Sequence, residues 1–329
     1  MGKVHRPRHG SLQYWPRTRS KKQYAVVRSW IKSKNVNLQG FGGYKAGMTH
    51  IVIKDNRPNS NTKGEQIVVP VTVVECPALK LYSIRFYKTT PYGLHLSTEI
   101  LNPRLDKEVF RKVAKIKKTD SETRLKHIED KINEYNQVKA VVYTQPKKSG
   151  LGKKTPEIFE IGIGGDNVKA KLDYAKGLFD KEIKVSDVFK QGVKIDVHAV
   201  TKGKGFQGSI KRFGAQLRQH KTEKKIRGVI LGPTRPAKAL WGIPLPGRMG
   251  YNLRTEFSKD LLFVGDKPEK VNPKGGFLHY GLVKSDYVLV KGSVPGPCKR
   301  LITLTEPLRK AKGYGTNYEI NYVSLESKQ

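Results

Sequence analysis

The sequence predicts a mainly β protein carrying an α+β insertion, and three observations lead there. Runs rich in β-branched and aromatic residues lie on both sides of the middle of the chain, at 51–87 and again at 193–305. Helical spacing of apolar residues is confined to the stretch between them, from about 105 to 178. Gly- and Pro-bearing segments separate the runs, as turns between strands require.

Residues 1–40 come first and fit neither pattern. They hold ten Lys or Arg and no Asp or Glu, with Tyr14, Trp15, Tyr24 and Trp30 set among Pro and Ser. No apolar period of 2 or 3.6 persists, so the segment has no face to bury and is expected to stay extended until a partner orders it. Rings able to stack on bases favour a nucleic-acid-binding arm over a solvated tail.

A β core is expected over 41–94, with strand-like runs at Ile51–Ile53, Ile67–Val74 and Leu81–Tyr87. The insertion occupies 95–189. Leu105, Val109, Val113 and Ile116 fall on one helical stripe, and Leu125, Ile128, Ile132 and Tyr135 on a second that Thr119 and Glu122 would open as a capping box. Val141–Tyr143 and Ile158–Ile161 read as strands and Asn167–Leu178 as a helix. The core resumes over 190–306 with strands at Val193–Val200, Leu261–Val264, Tyr280–Val290 and Leu301–Thr305, and 307–329 is left as a tail.

Inside the resumed core, residues 201–260 carry fourteen Lys or Arg, three acids and nine Gly. A structureless loop of that length is improbable in a compact domain unless a partner orders it. Gly lets backbone approach phosphate and the cations neutralise it, so the loop reads as an RNA-penetrating extension.

The 329 residues contain 64 Lys or Arg against 28 Asp or Glu, a formal charge of +36. Such a chain needs a polyanion: RNA, DNA or an acidic membrane surface. The membrane would call for a basic amphipathic helix, a lipidation signal or a long apolar span, and the sequence has none, so a soluble intracellular protein is expected. Cys76 and Cys298 read as packing residues, and the eight His lack ligand spacing, so neither a metal nor a cofactor is expected.

Catalytic motifs are sparse. Gly203, Gly205 and Gly208 match GxGxxG, but the residues after Gly208 form no helical apolar stripe and Glu223 sits in no strand, so a dinucleotide site is rejected. Glu75 and Asp286 are the best isolated carboxylates, each read as a structural partner for a base. No enzyme is indicated. Two rivals stay open: an RNA-modifying enzyme with a basic capture surface, and an architectural DNA-binding protein with Trp15 or Trp30 as a wedge.

Five ordered blocks are more specific. HRPRHGSL at 5–12, GFGGYKAGMTHI at 40–51, AVTKGKGFQGSIKRFG at 199–214, GRMGYNLRTE at 247–256 and PKGGFLHYGLVKSDYVLVKGSVPGPCKR at 273–300 closely resemble the large-subunit ribosomal protein L-three family. The arm, the insertion and the short segment after the last strand resemble its archaeal branch.

The resemblance implies a β-barrel of the translation-protein type seated on large-subunit rRNA in the cytoplasmic ribosome. The arm and central loop would run toward the peptidyl transferase centre, with a role in subunit assembly. Neighbouring ribosomal proteins and nearby translation factors would be partners. By matching block, Lys202, Lys204, Lys211, Arg212, Arg248 and Arg254 become RNA contacts of the loop, and Arg6, Arg8 and His9 those of the arm. The expected set is completed by Trp15, Arg17, Arg19, Lys45, Arg218, Lys221, Arg235 and Trp241. One departure stands out: relatives carry Gly-Pro-Trp-His-Pro near the loop tip, whereas Gly232-Pro233 is followed here by Thr234-Arg235-Pro236. The resemblance thus implies RNA packing and not a role carried by a tip tryptophan.

Overall fold

The computed structural model describes residues 10–57, 59–114, 121–215, 238–309 and 318–326. It forms two compact units, a small one of residues 1–21 with 200–253 and a large one of 22–199 with 254–329. In chain order the strands are β1 Gly40–Lys54, β2 Gln66–Glu75, β3 Lys80–Thr90, β4 Gly93–Leu101, β5 Gln137–Tyr143 and β6 Ile158–Gly162. They continue with β7 Lys194–Val200, β8 Gly203–Gln207, β9 Gly247–Gly250, β10 Leu253–Gly265, β11 Tyr287–Lys291, β12 Leu301–Thr305 and β13 Glu319–Val323. The helices are α1 Ser121–Asp130, α2 Val168–Lys176, α3 Val185–Val188 and α4 Ser209–Phe213.

A seven-stranded sheet runs β12-β7-β10-β11-β2-β1-β13, and β12 pairs additionally with β1. The first residues of β1 meet β12 antiparallel, from Gly40 opposite Thr305 to Tyr44 opposite Leu301, and its last residues meet β13. A second, four-stranded sheet runs β4-β3-β5-β6. A large apolar core in the large unit buries Phe41, Tyr44, Val73, Ile84, Ile161 and Leu304, and a smaller cluster of Tyr82, Val109, Val141 and Tyr143 is separate from it.

The expected strand Ile51–Ile53 is only the end of a fifteen-residue strand. Its earlier part is glycine-rich because the packing demands it: a Cβ on Gly43 would sit 2.7 Å from Cys76 Sγ and 2.9 Å from Glu75 O. Glycine there reads as loop text, yet it marks close approach within a sheet. Leu301–Thr305 coincides with β12, and the 167–178 helix appears as α2, its Asn167 cap accepting from Lys169 N at 2.9 Å.

Other expectations need correction. The 105–116 stripe yields a 3-10 turn over Lys107–Arg111 that buries Val109. Ile116 and Thr119, and with Thr119 the expected capping pair, lie outside the described residues. The second stripe is broken: α1 ends at Asp130, and a 3-10 turn over Ile132–Glu134 leads to an extended Tyr135. The strand expected from Tyr280 begins at Tyr287, because a tight turn closed by a Phe277–Gly281 bridge and His279 at φ 61° occupies the earlier residues. Strands β4 and β13 went unforeseen: their alternating apolar residues, Leu94 and Leu96 or Ile320 and Tyr322, are few, and each strand keeps many side chains in solvent.

His198 illustrates a polar group satisfied in the core. Its Nδ1 lies 2.9 Å from Thr255 Oγ1 and its Nε2 3.0 Å from Thr305 Oγ1. Burial lowers its pKa below the ordinary 6.5, opposed by the nearby Asp196. The unfolded chain therefore takes up a proton as pH falls through 6.5 while the folded chain resists, so stability drops on the acid side of that value. Urea midpoints should fall between pH 7.5 and 5.5 in the native chain, and by less in His198→Gln. An equal fall in both would discard His198 as the cause.

Candidate nucleic-acid interface

The described segments of the small unit contain nine Lys or Arg and no Asp or Glu. Ion pairs such as Lys80–Asp106, Lys148–Glu182 and Lys194–Asp260 belong to the large unit instead. Both units are net positive, but the large unit mixes many Asp and Glu among its cations, whereas the described part of the small unit has no acid at all.

The base of the loop is built from β8 and β9, an antiparallel hairpin, together with the one-turn helix α4. Gly250 is required at the open end of the hairpin, opposite Gly203: it takes φ 74°, and a Cβ on it would lie 2.0 Å from Lys202 O. The antiparallel pairing and the five-residue helix also dispose of the dinucleotide-turn pattern, which needs a parallel strand and a long helix.

Onto this base folds the arm. Trp15 stacks on Phe213 with centroids 5.9 Å apart and planes 14° from parallel, and Trp241 meets Trp15 edge-on at 5.6 Å. The Arg17 guanidinium lies 4.3 Å from the Phe213 ring centre, and Arg19 lies 5.4 Å from that of Tyr251. Backbone contacts complete the clamp: Arg248 Nη2 donates to Arg17 O at 2.7 Å, Asn252 Nδ2 to Thr18 O at 3.1 Å, and Ser20 N to Tyr251 O at 3.0 Å.

The expected contacts therefore separate into groups. Lys202, Lys204 and Lys211 are exposed, as is Trp241 at 68%. Arg212 is committed inward, donating to Leu245 O at 2.9 Å and Arg248 O at 3.1 Å; burial and then the like charge of Arg248 lower its pKa. Trp15, Arg17, Arg19 and Arg248 hold the clamp together, and Arg254 stands partly exposed in β10. Lys45 corrects the expectation of a surface contact: it is buried, and its Nζ donates to Val294 O at 2.6 Å and Gly296 O at 3.2 Å. Arg6, Arg8, His9, Arg218, Lys221, Arg235 and the 232–236 tip lie outside the described residues.

The aromatic arm also differs from the expectation that its rings await bases. Tyr24 is buried and Trp30 packs against the core, so part of the arm already has a protein partner. What sequence reasoning missed was the arm–loop clamp, whose signal was Phe213, the one apolar ring between Arg212 and Gly214.

Of the acid candidates, Glu75 is fully buried and accepts from Lys284 N at 2.7 Å, Ser285 N at 2.9 Å, Gly150 N at 3.1 Å and the Tyr280 hydroxyl. Its partners are amides and a phenol, not the base expected. Among the described residues no cluster of three or more His, Cys, Asp or Glu could hold a metal, and no helix is long and apolar enough to cross a membrane.

A mainly β protein that is strongly basic throughout, whose small unit has no acid among its described residues and whose buried Glu75 is spent on structure, has the makeup of a structural polyanion-binding protein. Comparison with known proteins gives this class a family. The pattern described as Ribosomal protein L3 matches residues 1–329, and the chain belongs to that family. It is 46% identical to the large ribosomal subunit protein uL3 of Archaeoglobus fulgidus, over 99% of both chains. It is 42% identical to that of Methanocaldococcus jannaschii, over 99% of this chain and 98% of the relative. For Methanobrevibacter smithii the identity is 41%, over 100% and 99%. These relatives are archaeal, in keeping with the branch the sequence resembles.

Proposed function

We propose that the chain serves as a structural constituent of the large ribosomal subunit in the cytoplasm, binding rRNA through its small unit. The observation that carries this is the described charge of that unit, nine cations and no acid, beside a large unit rich in ion pairs. Phosphate supplies the missing counter-charge. The exposed Lys202, Lys204 and Lys211 would neutralise phosphates, Trp241 would offer a stacking face, and the clamp residues Trp15, Arg17, Arg19 and Arg248 would present a preorganised arm. Arg6, Arg8, His9, Arg218, Lys221 and Arg235, which lie outside the described residues, and Arg254 of the large unit are proposed as further rRNA contacts.

The succession of pairings β1-β2-β11-β10-β7-β12 with β12 again on β1 supports reading the main sheet as a β-barrel. In that reading the insertion expected over 95–189 starts earlier, since β3 at Lys80–Thr90 belongs to the second sheet and not to the barrel sheet, and 201–260 is a loop that enters rRNA toward the peptidyl transferase centre. Assembly support and the proximity of translation factors belong to the same reading.

The test is the salt dependence of binding to large-subunit rRNA. Each phosphate contact contributes about 0.7 to 0.9 to the slope of log K against log salt. Replacing Lys202, Lys204 and Lys211 together by Ala should therefore flatten the slope by about 2 to 3. A slope unchanged from the native chain in filter binding would remove the small unit as the phosphate-binding surface.

A further inference from the structure

We propose that Phe206 is a base-stacking site whose ring takes an unpaired nucleobase of the bound rRNA; this rests on the RNA-binding reading above. Phe206 is 76% exposed, a costly position for a large apolar ring in a folded hairpin. Other rings of the small unit are used differently: Phe213 is buried beneath Trp15 and Arg17, and Trp241 is held edge-on by Trp15. Among the described residues no ring or cation packs on Phe206.

The backbone presents the ring deliberately. The β8–β9 register slips by one residue between Gly203 and Phe206, and Gly205 within that slip has φ 63°. A bulge with glycine in the left-handed region re-aims the side chain next to it. On either side of the ring, a Cβ built on Gly205 or Gly208 would meet nothing within 4 Å, so a nucleotide can approach closely. Lys202 and Lys204, both exposed, precede it in sequence and can neutralise the phosphates of that nucleotide.

The ligand class is set by geometry. In an A-form helix the bases are stacked on one another and the deep groove is closed to side chains, whereas a looped-out base offers a free π-face. Stacking is also indifferent to salt, which separates it from the lysine contacts. A lost base–aromatic stack is worth about 1–3 kcal/mol, which is about a 5- to 150-fold change in affinity.

The experiment uses the full chain and a large-subunit rRNA fragment, measuring affinity across salt and chemical reactivity of the bases. Phe206→Ala should weaken binding by about 5- to 150-fold with the salt slope unchanged, expose one nucleobase to modification, and leave the urea midpoint in place. Phe206→Tyr should restore affinity and protection. Affinity within twofold of native with no base newly reactive would overturn the proposal, as would contact of the ring with a protein neighbour in place of a base. If the lysine triple variant flattens the slope while Phe206→Ala is silent, only the stacking site fails. If the slope does not move, the RNA-binding reading itself fails.

Discussion

Phe213→Ala is expected to free residues 10–20 from the loop base and to remove about 3–5 kcal/mol of packing from the small unit. The ring is 4% exposed and is the floor on which both Trp15 and Arg17 rest, with Arg212 5.0 Å from its centre. Without it the stack loses its parallel partner, and the guanidinium of Arg17 loses the closer of its two rings, the other being Trp15 at 5.4 Å. The hydrogen bonds to Arg17 O, to Thr18 O and from Ser20 N, with the edge-on contact of Trp15 and Trp241, would then carry more of the work of ordering the arm against its conformational entropy. Hydrogen exchange should show the Ser20 amide losing protection while amides of β2 and β3 keep theirs. Affinity for rRNA should fall as well, because ordering the arm then falls on the binding step. An arm that stays protected in the variant would mean that the backbone contacts, not the rings, hold it.

The other large effect concerns stability. Glu75→Ala should cost the large unit on the order of 3 to 5 kcal/mol, because it strands several buried donors at once. The amides of Gly150, Lys284 and Ser285 and the hydroxyl of Tyr280 all point at this carboxylate. Burial, reinforced by the neighbouring negative charge of Glu75, pushes the Tyr280 pKa upward, so the phenol remains a donor at any working pH. Glu75→Gln keeps one acceptor oxygen and the shape, and should lose less. Urea midpoints of the two variants decide: equal losses would show that volume rather than hydrogen bonding matters at this position.

Glu75 also shows what the sequence can and cannot convey. Its place after an apolar strand singled it out, but its partners come from segments around 150 and 280–285, and pairings that distant leave no local trace. Strand β12 was legible to the residue because five apolar or β-branched residues stand between turn signals. Most of β1 was not, because the glycines that let Cys76 and Glu75 approach look like a loop. The same division holds at the interface. The basic, glycine-rich composition of 201–260 and the five blocks pointed to the surface and the family, whereas Lys45 could not be told from its exposed counterparts without the carbonyls that capture it. The clamp was illegible because its two halves lie about 200 residues apart, and aromatic rings in a basic arm suit a protein floor as well as a base.

The double pairing of β1 sets an order on how this chain can be made. The second sheet draws only on residues 80–162, so its strands can pair soon after they are synthesised. Strand β1 instead waits for partners at 301–305 and 319–323, about 250 residues later. At roughly 5 to 20 residues per second, that delay is on the order of 10 to 50 s. Throughout it, one side of β1 presents an unpaired row of amides and carbonyls to whatever is nearby, which makes the nascent chain most vulnerable to mispairing just before its last strands emerge.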